Sequence, residues 1–410
     1  MVALIARILT AVYVSVFRNG TVFADDQTYM SMVRDFAYFR TAEWSDYTKW
    51  LWDISTSFLL PSGLLSRLFG FHYFLILFVS ALAGSTLVGL TTLLLRNFVS
   101  IHVSIFCGMT LALLPSQILW SSLLLKDSYI AMAFVLLTLV IRWWSDKKRT
   151  HFIYGVLIIV LVLLYIERIR LHSLMVVLIA FVLTTIFFRS NLYFSRLGIA
   201  CLLMIFVPWA AWGGPAGSHY FQTLSRGMED QRMAGGIGAK TAINTAPTNT
   251  APTNTAPTNT APTNTAPTNT APTNTAPTNT APTNTNILKQ FKYLPSGLKV
   301  MIVDPTPSQL SQSRSLIAPF VEHVIWYPAV LLAIYGVARR RKWQMELLFA
   351  LFLWVGLALM WGLVEGNLGT AVRHRTEFVW IVFLFAGIGI QQILDDVQKN
   401  RTRPPDISAN

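Results

Sequence analysis

His72 to Leu95 reads HYFLILFVSALAGSTLVGLTTLLL, and no charged residue follows the opening His72 until Arg96 closes the run. Wound as an α-helix at about 1.5 Å per residue, it is long enough to cross about 30 Å of hydrocarbon. Comparable runs recur at roughly 1–17, 99–116, 128–144, 152–167, 172–188, 197–213, 316–338, 344–364 and 377–395. The sequence therefore predicts an all-α polytopic membrane protein with about ten transmembrane helices. Composition agrees. The 410 residues are 53% hydrophobic and only 12% charged, against about 25% charged in soluble domains. Mean hydropathy is +0.50. The first run lacks a small-residue cleavage site and is read as a retained helix rather than a signal peptide.

Charge sets the topology. The net charge of +13 comes from basic residues that punctuate the ends of apolar runs. That pattern suits anionic lipid headgroups and excludes a nucleic-acid reading. Arg96, the stretch Asp146 to Arg149, Arg189, Arg196, the stretch Arg339 to Lys342, and Lys399, Arg401 and Arg403 share one side. The positive-inside rule makes that side cytoplasmic and puts both termini there. The outer side then receives the loop 18–71, Lys126-Asp127, Glu167 to Arg170, the long loop 214–315, and Glu365 to Arg375. The helix interiors read as almost free of charge, which favours chemistry at one membrane surface over passage across it. Cys107 and Cys201, the only cysteines, both lie within apolar runs. Neither a disulfide framework nor a zinc site is indicated.

From 246 to 285 the chain repeats APTNT in eight tandem copies. Proline at every fifth position blocks helix and sheet, so a disordered insertion in an outer loop is expected. It divides the chain into 1–245, 246–285 and 286–410. An O-glycosylated stalk and a neutral expansion in a length-tolerant loop both fit.

Candidate functional residues cluster on the outer side. Asp25 and Asp26, in VFADDQTYM (22–30), can deprotonate a hydroxyl or hold a metal ion. A helix cap is the alternative. Adjacent side chains rarely point the same way, so one carboxylate would be catalytic and the other structural. The same loop carries EWSDYTKWLWDISTSFLL (43–60), whose aromatics suit an amphipathic helix in the headgroup layer. Lys126 and Asp127 either cap and orient a helix or form part of a phosphate site in which Lys126 offers the charge. Arg168 and Arg170 sit at a tight outer turn, against the positive-inside trend. A lipid-linked phosphate would explain them, and so would snorkelling beside Glu167. In GNLGTAVRHRTEF (366–378), Arg373, His374 and Arg375 suggest phosphate capture, with His374 able to carry a proton. No GxSxG, HExxH or P-loop motif is present.

A first span, an acidic pair followed by Tyr at the start of a large outer loop, then a many-span bundle, together resemble the GT-C superfamily of integral membrane glycosyltransferases. LYIERIR, YLPSGLKVMIVDPTP and GNLGTAVRHR also resemble bacterial membrane glycosyltransferases and polysaccharide polymerases. The resemblance implies transfer of sugar from a polyprenyl-phosphate donor to an envelope glycan or lipid acceptor at the outer face of a bacterial inner membrane. It gives the role of base or metal ligand to Asp25 or Asp26, and donor-phosphate binding to Arg168, Arg170, Arg373 and Arg375. A divalent metal is the one cofactor it suggests, although only Asp127 is available where the family has a second acidic motif. The alternatives are a polymerase of lipid-linked repeat units, a glycolipid flippase or transporter, and a non-catalytic scaffold.

Overall fold

A computed structural model describes residues 1–146, 152–188, 291, 294–312, 316–364 and 368–401. The expected span at 197–213 and the repeat at 246–285 lie outside the described residues. Within them the chain is helical, and no strand occurs. The helices are α1 (Val2–Phe17), α2 (Ala24–Ala37), α3 (Asp46–Asp53), α4 (Thr56–Phe69), α5 (Tyr73–Leu95), α6 (Ile101–Leu113), α7 (Pro115–Ser121), α8 (Asp127–Asp146), α9 (Phe152–Ile169), α10 (Leu171–Phe187), α11 (Leu294–Ile302), α12 (Ile317–Ala338), α13 (Met345–Val364), α14 (Leu368–Arg375) and α15 (Val379–Arg401).

Four described helices are long and apolar enough to cross a membrane: α5, α12, α13 and α15. The pair α6 and α7 makes a fifth if it counts as one span, bent by 61°. The bend has a local cause. Pro115 offers no N–H to Leu111, and it holds Leu114 extended at φ −60°, ψ 123°. The expected span at 99–116 therefore stops as a straight helix at Leu113. The loop 18–71 carries three helices, α2 to α4, and the stretch 43–60 is divided between α3 and the start of α4.

The bundle has two polar ends. At one, the starts of α2, α8 and α10 meet the end of α13 and the residues joining α14 to α15, through hydrogen bonds described below. At the other, Arg142 of α8 lies 3.4 Å from Glu346 of α13, and Arg339 lies 3.0 Å from Asp396. There the Ser100 N–H also donates to Gln391 at 3.0 Å. So α8 and α13 run antiparallel, while α12 and α15 run parallel. The interior between, expected to be almost free of charge, buries Arg7 of α1 and Glu322 of α12.

Glycines set the closest helix approaches. A Cβ on Gly336 of α12 would collide with the Phe385 carbonyl of α15, and one on Gly389 with the Leu332 carbonyl. A Cβ on Gly297 of α11 would collide with the Gly362 carbonyl of α13. Backbone touches backbone there, as small residues permit in membrane bundles. Gly389→Val should therefore lower stability by about 1–3 kcal/mol or more. Gly89, which has open space around its Cβ position, should tolerate Ala; thermal unfolding in detergent compares the two.

Candidate functional site

The two adjacent carboxylates point apart. Asp26 accepts the N–H of Val22 at 2.9 Å and of Phe23 at 2.8 Å. It ties down the chain entering α2, and it is fully buried. Burial pushes its pKa up, against the N–H bonds and the Arg373 charge, which pull it down. Asp26 is therefore the cap. Asp25 faces the other way, with 60% of its side chain exposed, and accepts Arg373 Nη1 at 2.6 Å. Tyr29 lies one turn further along the same helix face and is buried.

Arg373 reaches inward from α14. Its Nε donates to Asp127 at 2.5 Å. Asp127 is the first residue of α8, where the helix N-terminus favours an anion, and it is fully buried. Its other oxygen accepts Arg170 Nη2 at 2.7 Å. Arg170 occupies the turn between α9 and α10, and its Nη1 donates to Glu377. The result is a ladder of alternating charge: Asp25, Arg373, Asp127, Arg170, Glu377. It runs from an exposed end to a buried one.

Aromatic rings close the buried end. His374 lies flat on Trp361, with centroids 3.5 Å apart and planes 5° from parallel. His374 Nδ1 is 3.2 Å from Glu377 and 3.1 Å from Arg170 Nη1. Trp361 Nε1 donates to Glu377 at 3.3 Å, and the Arg170 guanidinium sits 5.1 Å from the Trp361 ring. Each charge is thereby both paired and hydrogen-bonded, which burial requires.

Lys126 precedes α8 at the side of this ladder. It is half-buried, and its ammonium makes no hydrogen bond or ion pair among the described residues. Burial, then the charges of Arg170 and Arg373, pull its pKa down to about 7, with Asp127 and Asp25 opposing. A lysine near neutrality can bind an anion when protonated and can also exchange a proton.

Two expected phosphate ligands lie elsewhere. Arg168 is exposed, because it leaves the last turn of α9 on the side away from Arg170. Arg375 points to the opposite face of α14 from Arg373. Its Nε donates to Met301 O at 2.8 Å and its Nη2 to Asp304 O at 2.5 Å, and its guanidinium sits 5.0 Å from the Trp326 ring. It thus caps the carbonyl end of α11, where a cation is favoured. Burial pulls its pKa down to about 10. Glu377 and Trp361 join the site with no role read for them from the sequence, and Tyr29 entered only as the Tyr that follows the acidic pair. Glu377 had one readable signal: it stands three residues after His374, on the same side of a helical turn. Four charged residues of the long outer loop that flank the repeat, Arg226, Glu229, Arg232 and Arg314, lie outside the described residues.

Asp127, His374 and Glu377 each offer one donor atom, all within 4.8 Å of one another. Those atoms already face the Arg170 guanidinium, and Arg373 also binds Asp127. Two permanent cations inside the donor set do not fit a divalent metal ion. The chain matches no family model, no curated protein and no solved structure.

Asp127→Asn would strand two buried guanidiniums, and should cost about 3–5 kcal/mol in unfolding free energy. Asp25→Asn acts at the exposed end of the ladder and should cost about 1 kcal/mol or less. Denaturant unfolding compares the two. Because its folded pKa is depressed, Lys126 should react with an amine-acylating reagent with a midpoint near pH 7, well below the ordinary lysine range; mass spectrometry of the labelled peptide reads it.

Proposed function

We propose that this protein is a membrane glycosyltransferase. It moves a sugar from a polyprenyl-phosphate donor to an envelope glycan or lipid acceptor at the outer face of a bacterial inner membrane. About ten spans, with both termini cytoplasmic, would put the charged ladder at that face. One observation carries the reading: an exposed carboxylate, Asp25, shares an arginine with a buried carboxylate, Asp127. The outer partner can leave while the inner one keeps Arg373 in place.

The roles follow from that arrangement. The donor phosphate replaces Asp25 on Arg373 Nη1, and protonated Lys126 adds a second positive charge. Asp25 is released as a base. It takes the proton of the acceptor hydroxyl as the hydroxyl oxygen attacks the anomeric carbon. The new bond joins that oxygen to the anomeric carbon, and the bond from this carbon to the phosphate oxygen breaks. Arg373 and Lys126 stabilise the charge developing on the leaving phosphate. Arg170, Asp127, Glu377 and His374 hold Arg373 in position and would not touch the donor. Asp26 keeps its capping role.

The test is mass spectrometry of lipid-linked oligosaccharides and surface glycans in a deletion strain. The reading expects glycans short by one sugar, restored by the wild-type protein. Asp25→Asn should lower transfer by about 10²–10⁴-fold. Full rescue by a folded Asp25→Ala protein would remove the base. Complete single units without long chains, rescued by that variant, would identify the alternative polymerase.

A further inference from the structure

The bend between α6 and α7 breaks one particular hydrogen bond. In a continuous helix the Ser116 N–H would donate to the Ala112 carbonyl, four residues back. Here the Ser116 N–H donates to Glu322 of α12 at 2.9 Å, and the Ser116 hydroxyl donates to the other oxygen of the same carboxylate at 2.9 Å. The Ala112 carbonyl accepts Arg7 Nη1 of α1 at 3.3 Å. The severed bond is therefore replaced on each side by a buried charged group from another helix. Arg7 also donates Nε to Ser121 Oγ, at the far end of α7, at 2.6 Å. Its Nη2 is buried without a partner among the described residues. Among the described residues no carboxylate pairs with it, which is a costly arrangement within an apolar bundle.

What this holds is α7, and α7 touches residues beside the ladder on two sides, Thr376 and Phe23. Gln117 Nε2 donates to the Thr376 carbonyl at 3.2 Å, beside the Arg373–Arg375 stretch. Trp120 stacks on Phe23, with centroids 4.8 Å apart. Phe23 is the residue whose N–H Asp26 accepts, two positions before Asp25. We infer that Arg7 and Glu322 are positioning residues: they pin the two ends of α7 in the bent state, and α7 sets the spacing between Asp25 and Arg373. The inference rests on the transferase reading for its effect on rate, but not for its effect on geometry.

The experiment therefore reads both. In the full chain in lipid nanodiscs, with Cys107→Ala and Cys201→Ala, spin labels at Gln27→Cys on α2 and Thr370→Cys on α14 report the distance across the site. Arg7→Met and Glu322→Gln should each broaden or shift that distance distribution. Each should lower kcat by about 10²-fold, the scale of an ångström-size misplacement, with KM for donor within about threefold. Arg7→Lys, which keeps a donor for Ala112, should restore most of both. Gln117→Leu, a milder change, should broaden the distribution even if Arg7→Met fails to fold. Arg142→Met with Glu346→Gln removes buried charge at the far end of the bundle and should leave the distance unchanged. An unchanged distance in folded Glu322→Gln and Gln117→Leu proteins would overturn the inference. So would an equal shift in the far-end variant. A shifted distance in a protein that transfers no sugar would keep the inference and remove the transferase reading.

Discussion

The polar end of this bundle depends on one buried carboxylate. Asp127 accepts two guanidiniums, from Arg170 and Arg373, in surroundings that exclude water. Each of these charges alone would be strongly unfavourable there. Together, with the α8 N-terminus behind Asp127, they are compensated. The ladder they form draws its members from α2, α8, α14, the α9–α10 turn and the α14–α15 junction. Displacing one of these elements leaves a charge unpaired, so the ladder fixes how the helix ends meet.

The gradient of exposure along the ladder gives it chemical direction. Glu377 and Asp127 are fully buried, and their bonds to arginine are difficult to exchange. Asp25 is exposed, and its bond to Arg373 competes with water and with any incoming anion. Exchange of partners is therefore confined to the outer rung, beside Lys126. The inner rungs act as a rigid mount, which is what an electrostatic site needs if it is to stabilise charge without reorganising.

Helix class was legible because an apolar run long enough to span a membrane is a one-dimensional signal. The bend was only half legible: Pro115 announces it, but the groups that receive the freed Ser116 N–H and Ala112 carbonyl come from distant helices. Arg7 reads as an ordinary basic residue near the start of an apolar run. Glu322 is a lone acid in another. Their shared purpose exists only in three dimensions. The split of Asp25 from Asp26 was expected, though not which would be the cap; that follows from the path of the chain at Val22 and Phe23. Arg373 and Arg375 look equivalent in RHR, yet two residues of helix turn them to opposite faces. Glu377 went unnoticed because its one local cue, His374 three residues before it, is weak beside the two arginines of RHR.

The central claim is that an incoming phosphate takes the place of Asp25 on Arg373. The most direct measurement is the affinity of a polyprenyl phosphate, carrying no sugar, for the wild-type protein and for Asp25→Asn in nanodiscs, by native mass spectrometry. Removing the competing charge at the exposed rung should leave the fold intact, so the phosphate should bind the variant as tightly as the wild type or more tightly. Clearly weaker binding by a folded Asp25→Asn protein would contradict the exchange, and with it the assignment of Asp25 as the base released by the donor.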